Sequence, residues 1–163
     1  MLRLLAILAL VATLAACREA PPEPYLRVGD PAPAALAMPA GRAQLVALWG
    51  SWCAPCVAEA PDLAKLAADP PEGVERVAIL VVSEGTERAS RTFPGVTLLP
   101  DPDGDLAGEL RVDALPVAFL VRGDRLVARF EGARAWDARP ARRTLSRLLA
   151  SEPTSVDPAP AGG

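Results

Sequence analysis

Trp52-Cys53-Ala54-Pro55-Cys56 places two cysteines three positions apart, directly after an apolar run at residues 44–49 and at the opening of a helical pattern. In that context the pair reads as a redox-active dithiol. Competing uses of two close cysteines fail on simple counts. A covalent haem site needs His directly after the second Cys, and Val57 stands there; a zinc site needs further ligands, yet the chain has no His and one other Cys, Cys17. A purely structural disulfide gains little here, because closing so small a loop removes little unfolded-chain entropy.

The spacing has a chemical reason. A thiolate at the first turn of a helix faces unpaired backbone N–H groups and the positive end of the helix dipole, which lower its pKa. Cys53 occupies that place and is expected to be the nucleophile. Cys56, one turn on and partly behind, can attack a mixed disulfide at Cys53 and release the substrate thiol. Trp52, Ala54 and Pro55 complete the turn; Pro55 suits the first helical turn, where its missing N–H costs nothing and its fixed φ stiffens the chain.

Further motifs flank this centre in order: Val28-Gly29-Asp30-Pro31-Ala32-Pro33, then Leu48-Trp49-Gly50-Ser51-Trp52-Cys53-Ala54-Pro55-Cys56-Val57-Ala58-Glu59-Ala60-Pro61, then Asp101-Pro102-Asp103-Gly104-Asp105-Leu106-Ala107, and Leu115-Pro116-Val117-Ala118-Phe119-Leu120-Val121. With them the chain resembles the TlpA/ResA-type thiol-disulfide oxidoreductases of the thioredoxin-fold superfamily over about residues 28–150. The resemblance implies an α/β fold, a central mixed β-sheet flanked by helices, and an enzyme whose redox-active disulfide is Cys53–Cys56.

It also assigns roles that the residues alone do not. By composition and position Pro116 is a strand's first residue; by resemblance it is a cis-proline beside the Cys pair, leaving the backbone of Leu115 open to an extended substrate segment. Glu59, three residues after Cys56, is by itself a solvated helix charge. In the resembling family a glutamate at this place lies near the active site, where a carboxylate raises the thiol pKa values and can accept the proton of Cys56. Thioredoxin carries a buried Asp on the strand before its Cys pair; Ala47 stands at that position here, so Glu59 is the acidic candidate nearby.

Direction of electron flow is read from the Ala54-Pro55 dipeptide. Strong oxidants of this fold have His between their cysteines, stabilising the reduced form, and none is present. The expected activity is therefore that of a protein-disulfide reductant. The chain shows no flavin or nicotinamide fingerprint and no metal-ligand set, so no cofactor is expected and electrons would come from a membrane donor. Resemblance points to apocytochrome c or a copper-site assembly protein as substrate.

Two other classes use similar parts. A peroxiredoxin-like peroxidase shares the fold but has Thr three residues before its reactive Cys, where Gly50 stands here. A non-catalytic binding module or copper chaperone would use Cys with His or Met, and Met1 and Met38 are remote from the pair in sequence.

The 163 residues amount to one domain, and 51% apolar content is ample for a core. A formal charge of −3 with interspersed signs excludes an electrostatic nucleic-acid surface. No exposed apolar stripe marks an interface, so a monomer is expected.

Residues 1–16 read as a lipoprotein signal peptide: Arg3 as the charged start, an apolar stretch at 4–14, and Leu14-Ala15-Ala16-Cys17 resembling a lipobox. Cys17 would then carry the lipid, which places the protein in a bacterial cell envelope with its catalytic domain on the periplasmic side. Residues 17–39 read as a Pro-rich spacer, 40–150 as the catalytic domain, and 151–163 as a disordered tail.

Within the domain, 44–49 and 77–82 are apolar runs expected of central strands. Cys56, Ala60, Leu63 and Ala67 mark one helix face, with Pro61 set to kink it. Short helices are expected at 84–93 and 106–110, strands at 117–121 and 126–130 around an Arg122-Gly123-Asp124-Arg125 turn, and a last helix capped by Asp137 with Pro140 in its first turn.

Overall fold

The structure, a computed structural model, describes residues 25–151. The expected signal peptide, the lipid-bearing Cys17, the Pro21-Pro22-Glu23-Pro24 stretch and the tail beyond Ser151 lie outside the described residues.

Five strands form one sheet in the order β3-β2-β1-β4-β5. They are β1 (Ala43–Trp49), β2 (Arg76–Val82), β3 (Thr97–Asp101), β4 (Val117–Arg122) and β5 (Arg125–Glu131). β1 pairs parallel with β2, and β2 with β3, whereas β1–β4 and β4–β5 are antiparallel. Four helices pack around it: α1 (Ala54–Ala68), α2 (Thr86–Thr92), α3 (Asp105–Glu109) and α4 (Arg139–Ala150). This is the mixed, helix-flanked sheet expected from the motifs.

All seven residues of β1 are buried, which explains its continuous apolar run: alternate side chains enter two different cores. Leu45, Ala47 and Trp49 meet α1 through Cys56, Ala60, Leu63 and Leu66, together with Phe93 and Leu145. Val46 and Leu48 face the other way, towards Phe119, Leu110 and Leu36. The polar member of β1, Gln44, is fully buried, and both its side-chain polar atoms have partners. Its Nε2 donates to Leu36 O at 2.7 Å, and its Oε1 accepts from Arg76 at 2.7 and 2.9 Å.

Three details differ from the sequence reading. β3 was not expected: Thr97-Leu98-Leu99-Pro100-Asp101 is short and contains a proline, and it survives because it is an edge strand where a missing N–H leaves no central ladder broken. Asp137 does not cap α4. Ala138 is the N-cap, without a side-chain bond, while Asp137 accepts from Arg142, whose other nitrogen bonds the carbonyl and carboxylate of Asp69.

The third difference lies upstream. Residues 25–39, read as the end of a spacer, lie against the sheet instead. Gly29 N donates to Leu126 O, Leu126 N to Asp30 O, Ala32 N to Asp124 O and Met38 N to Gly123 O, at 2.7 to 3.0 Å. These bonds cover the start of the outer edge of β5, which would otherwise be open to another strand there. A 3₁₀ turn at Ala34–Leu36 then buries Leu36 completely. Among the described residues, the ordered fold therefore starts before residue 40. No described helix is long and apolar enough to cross a membrane.

If this segment is part of the fold, Leu36→Ala should cost about 2–5 kcal/mol of stability, the usual price of emptying a buried leucine site. Val28→Ala, at a side chain 68% exposed, should change it by less than about 0.5 kcal/mol. Chemical denaturation of both variants checks this; a near-neutral Leu36→Ala would return the segment to the status of a spacer.

Candidate active site

β1 ends at Trp49, and four residues later the chain enters α1. Cys53 is the N-cap of that helix, with φ −87° and ψ 101°, and its Sγ accepts from Cys56 N at 3.3 Å. The sulfur thus takes up one of the N–H groups that a helix start leaves unpaired. Pro55 lies in the first turn, as expected. Cys53 and Cys56 are joined by a disulfide with Cα atoms 5.2 Å apart, Cys56 fully buried and Cys53 reaching the surface by a small margin.

Around that margin lie exposed Trp52, Ala54, Pro55 and Val57. Trp52 is held rather than free: its Nε1 donates to Ser83 Oγ at 3.2 Å, and its ring lies so close over Gly50 that an added Cβ there would come within 2.9 Å of Trp52 Cε2. A side chain at Gly50 would displace the indole.

The second strand to reach this end of the sheet is β4. Leu48 pairs with Val117, so Pro116 stands level with the exit of β1, and the Leu115–Pro116 peptide bond is cis. Pro116 is buried and its carbonyl accepts from Gly132 N at 2.9 Å. The amide and carbonyl of Leu115 have no backbone partner among the described residues. Beside them opens a cavity of about 340 Å³ lined by Tyr25, Asp113, Leu115, Pro116, Arg129 and Glu131. Tyr25 donates to Asp113 at 3.2 Å across a separation of 88 residues, so the N-terminal segment forms part of this wall.

Glu59 is not a solvated helix charge. It lies on the buried face of α1 with Cys56, Ala60, Leu63 and Leu66, and is 7% exposed. Its Oε2 accepts from Arg134 N at 2.9 Å and from Trp136 Nε1 at 3.1 Å. Burial pushes its pKa above the ordinary 4.5, and the two hydrogen bonds and the Arg134 charge oppose that rise without cancelling it. The sequence reading missed Arg134 and Trp136. The usable signal was a lone large aromatic residue, Trp136, in the short loop of Ala, Arg and Asp after Gly132, since a buried indole needs an acceptor for its N–H.

A raised carboxyl pKa favours the protonated form in the folded state. The folded protein therefore loses relative stability as pH rises from the ordinary 4.5 through the raised value. Glu59→Gln, which keeps an acceptor oxygen but cannot ionise, should gain melting temperature over wild type progressively as pH rises above the ordinary 4.5, and level off once the raised value is passed. Thermal melts of the oxidised proteins, in which the cysteines do not titrate, read this directly. A difference constant with pH would mean that Glu59 ionises as it does in the unfolded chain.

Comparison with known proteins agrees with this geometry. No protein-family profile matches the chain. It is similar to the thiol:disulfide interchange protein DsbE of Xylella fastidiosa, with 30% identity over 129 residues, spanning 75% of this chain and 62% of that one. It is also similar to the thiol-disulfide oxidoreductase ResA of Oceanobacillus iheyensis, with 29% identity over 89 residues, 50% of this chain and 45% of that one. The chain thus spans less than two thirds of the length of these curated relatives. Among solved structures, a putative DsbE from Chlorobium tepidum superposes with a TM-score of 0.59 and 25% identity, covering 76% of this chain and 99% of that one. In fold, active-site motif and sequence, the chain is similar to the thioredoxin-fold thiol-disulfide oxidoreductases of the DsbE/ResA/TlpA type.

Proposed function

We propose that this protein is an extracytoplasmic thiol-disulfide oxidoreductase that reduces disulfides in partner proteins and is tethered to the membrane through lipid on Cys17. The observation that carries the redox reading is the Cys53–Cys56 disulfide at the start of α1, with a buried carboxyl one turn further along the same helix.

In the reduced protein the Cys53 thiolate, favoured by the N-terminus of α1, attacks one sulfur of a substrate disulfide. The first substrate thiolate leaves and Cys53 is joined to the second substrate sulfur. Cys56 then attacks Cys53 Sγ as its proton passes to Glu59; the Cys53–substrate bond breaks, and the second substrate thiolate takes a proton from solvent. The substrate has gained two electrons and the protein has returned to its disulfide form. A dithiol of a membrane electron donor resets it. The open backbone of Leu115 supports a role in holding an extended substrate strand across from Cys53, and the exposed Trp52 and Val57 supply apolar contact.

The direction is assigned from Ala54-Pro55, which supplies no charge to stabilise a thiolate between the cysteines. Substrates of this kind would be apocytochrome c or a copper-site assembly protein, and the catalytic domain would work on the periplasmic side.

Cys56→Ser should leave Cys53 trapped on its substrate as a long-lived mixed disulfide, whereas Cys53→Ser should capture nothing. Acid quenching, alkylation and identification of reductant-sensitive adducts read the asymmetry and name the partner. An apocytochrome or copper-site protein supports the reductant; a broad set of newly exported proteins points to an oxidant, and equal adducts from both variants overturn the assigned roles. Separately, Cys17→Ser should release the protein from membranes with its activity in solution unchanged. A Ser variant that still fractionates with membranes as tightly as wild type rules out lipid on Cys17 as the anchor.

A further inference from the structure

Glu59 uses one of its two carboxyl oxygens for both of its hydrogen bonds. Oε2 accepts from Arg134 N and Trp136 Nε1, and no described group donates to Oε1. Among the described residues the fully enclosed side-chain polar atom without a partner is Trp49 Nε1, so Oε1 keeps contact with solvent through the 7% of the residue that is exposed. The two oxygens are thereby made inequivalent. Charge is held at Oε2 by two fixed donors, and a proton has one place to arrive or leave, at Oε1.

The donors are themselves held. Trp136 is 2% exposed, and its ring meets Phe130 edge-on at 5.5 Å and 90°. Arg134 stacks its guanidinium over the same Phe130 ring at 5.3 Å and donates to Glu131 O at 3.2 Å. Phe130 and Glu131 belong to β5, whose pairing with β4 also sets the position of Pro116. The loop that carries the donors is therefore indexed to the same strand pair as the substrate backbone site. The charge bearing on Glu59 from this loop is that of Arg134; on α1 the titratable groups sharing its buried face are Cys53 and Cys56, and α4 turns Leu145 towards that core.

We propose that Trp136 is a positioning residue for resolution: its indole N–H pins Oε2 of Glu59, which orients Oε1 as the oxygen that takes the Cys56 proton when Cys56 attacks Cys53. This rests on the reading of Glu59 as the proton acceptor in the exchange. Loss of the indole N–H removes one stabilising bond to the carboxylate while leaving an aromatic ring in place. The carboxyl then holds its proton to higher pH, and resolution fails first on the acid side.

The test uses reduced full chain mixed rapidly with an aromatic disulfide reagent. Release of the first coloured thiolate reports attack by Cys53, and release of the second reports resolution by Cys56. Trp136→Phe should leave the first phase unchanged and move the rising pH limb of the second phase upward. Below that limb the second phase should slow by about tenfold, the order expected for one charge-assisted hydrogen bond. Glu59→Gln should lack the limb, and the Trp136→Phe/Glu59→Gln double variant should match Glu59→Gln alone.

If Trp136→Phe slows the second phase equally at every pH, or slows Glu59→Gln further by the same factor, Trp136 acts by packing and the proposal fails while the role of Glu59 stands. If Glu59→Gln retains the wild-type limb, the proton-acceptor reading fails and takes this one with it. Should Trp136→Phe not fold, replacing the indole by the isosteric benzothiophene side chain, which lacks the N–H, makes the same measurement.

Discussion

Strand β1 is packed on both faces and hydrogen-bonded on both edges, so its C-terminal end cannot shift relative to β4 without breaking the sheet at its centre. The rest of the site depends on this constraint. The chain leaves β1 at Trp49 and must reach the first turn of α1 within four residues, which places Cys53 at the helix start and in reach of Cys56 N. The same strand pairing puts Pro116 level with that exit, and the β4–β5 ladder carries Arg134 and Trp136 to Glu59. Three segments remote in sequence are thus registered against one another by backbone hydrogen bonds, which deform far less than side-chain contacts.

The carboxyl of Glu59 is the buried group that this arrangement leaves electrostatically strained among the described residues. A carboxylate removed from water is costly unless donors replace the lost hydration. Arg134 N and Trp136 Nε1 replace part of it, and the pKa stays raised because burial outweighs them. An apolar residue at position 59 would pack among Cys56, Ala60 and Leu63 without that penalty. Retaining an ionisable group next to a thiol pair fits proton handling better than stability, since a group that titrates nearer neutrality can both give and take a proton.

The N-terminal segment joins the two ends of the architecture. It pairs with the start of the outer edge of β5 through backbone bonds, anchors itself by Leu36 and the Gln44 amide, and brings Tyr25 to Asp113 beside the cavity at Leu115. A chain that would otherwise be a neutral connector therefore contributes to both the stability of the sheet and the wall of the site.

The sequence by itself determined the redox pair, the helix it starts, the two central strands and the β4–β5 hairpin, because each rests on local patterning: a Cys-x-x-Cys spacing, continuous apolar runs, a polar four-residue turn. The resemblance carried by ordered motifs extended this to Pro116 and to the place of Glu59. Tertiary structure decided the remainder. β3 is weak by pattern and exists because β2 offers it an edge. Asp137 is drawn away from α4 by Arg142, a competition that no local rule records. The N-terminal segment looks like a spacer until the open edge of β5 is present to bind it. Above all, the environment of Glu59 is made by a loop 75 to 77 residues downstream. Burial and hydrogen-bond partners across such a distance are properties of packing, so only the folded chain sets the acidity of that carboxyl.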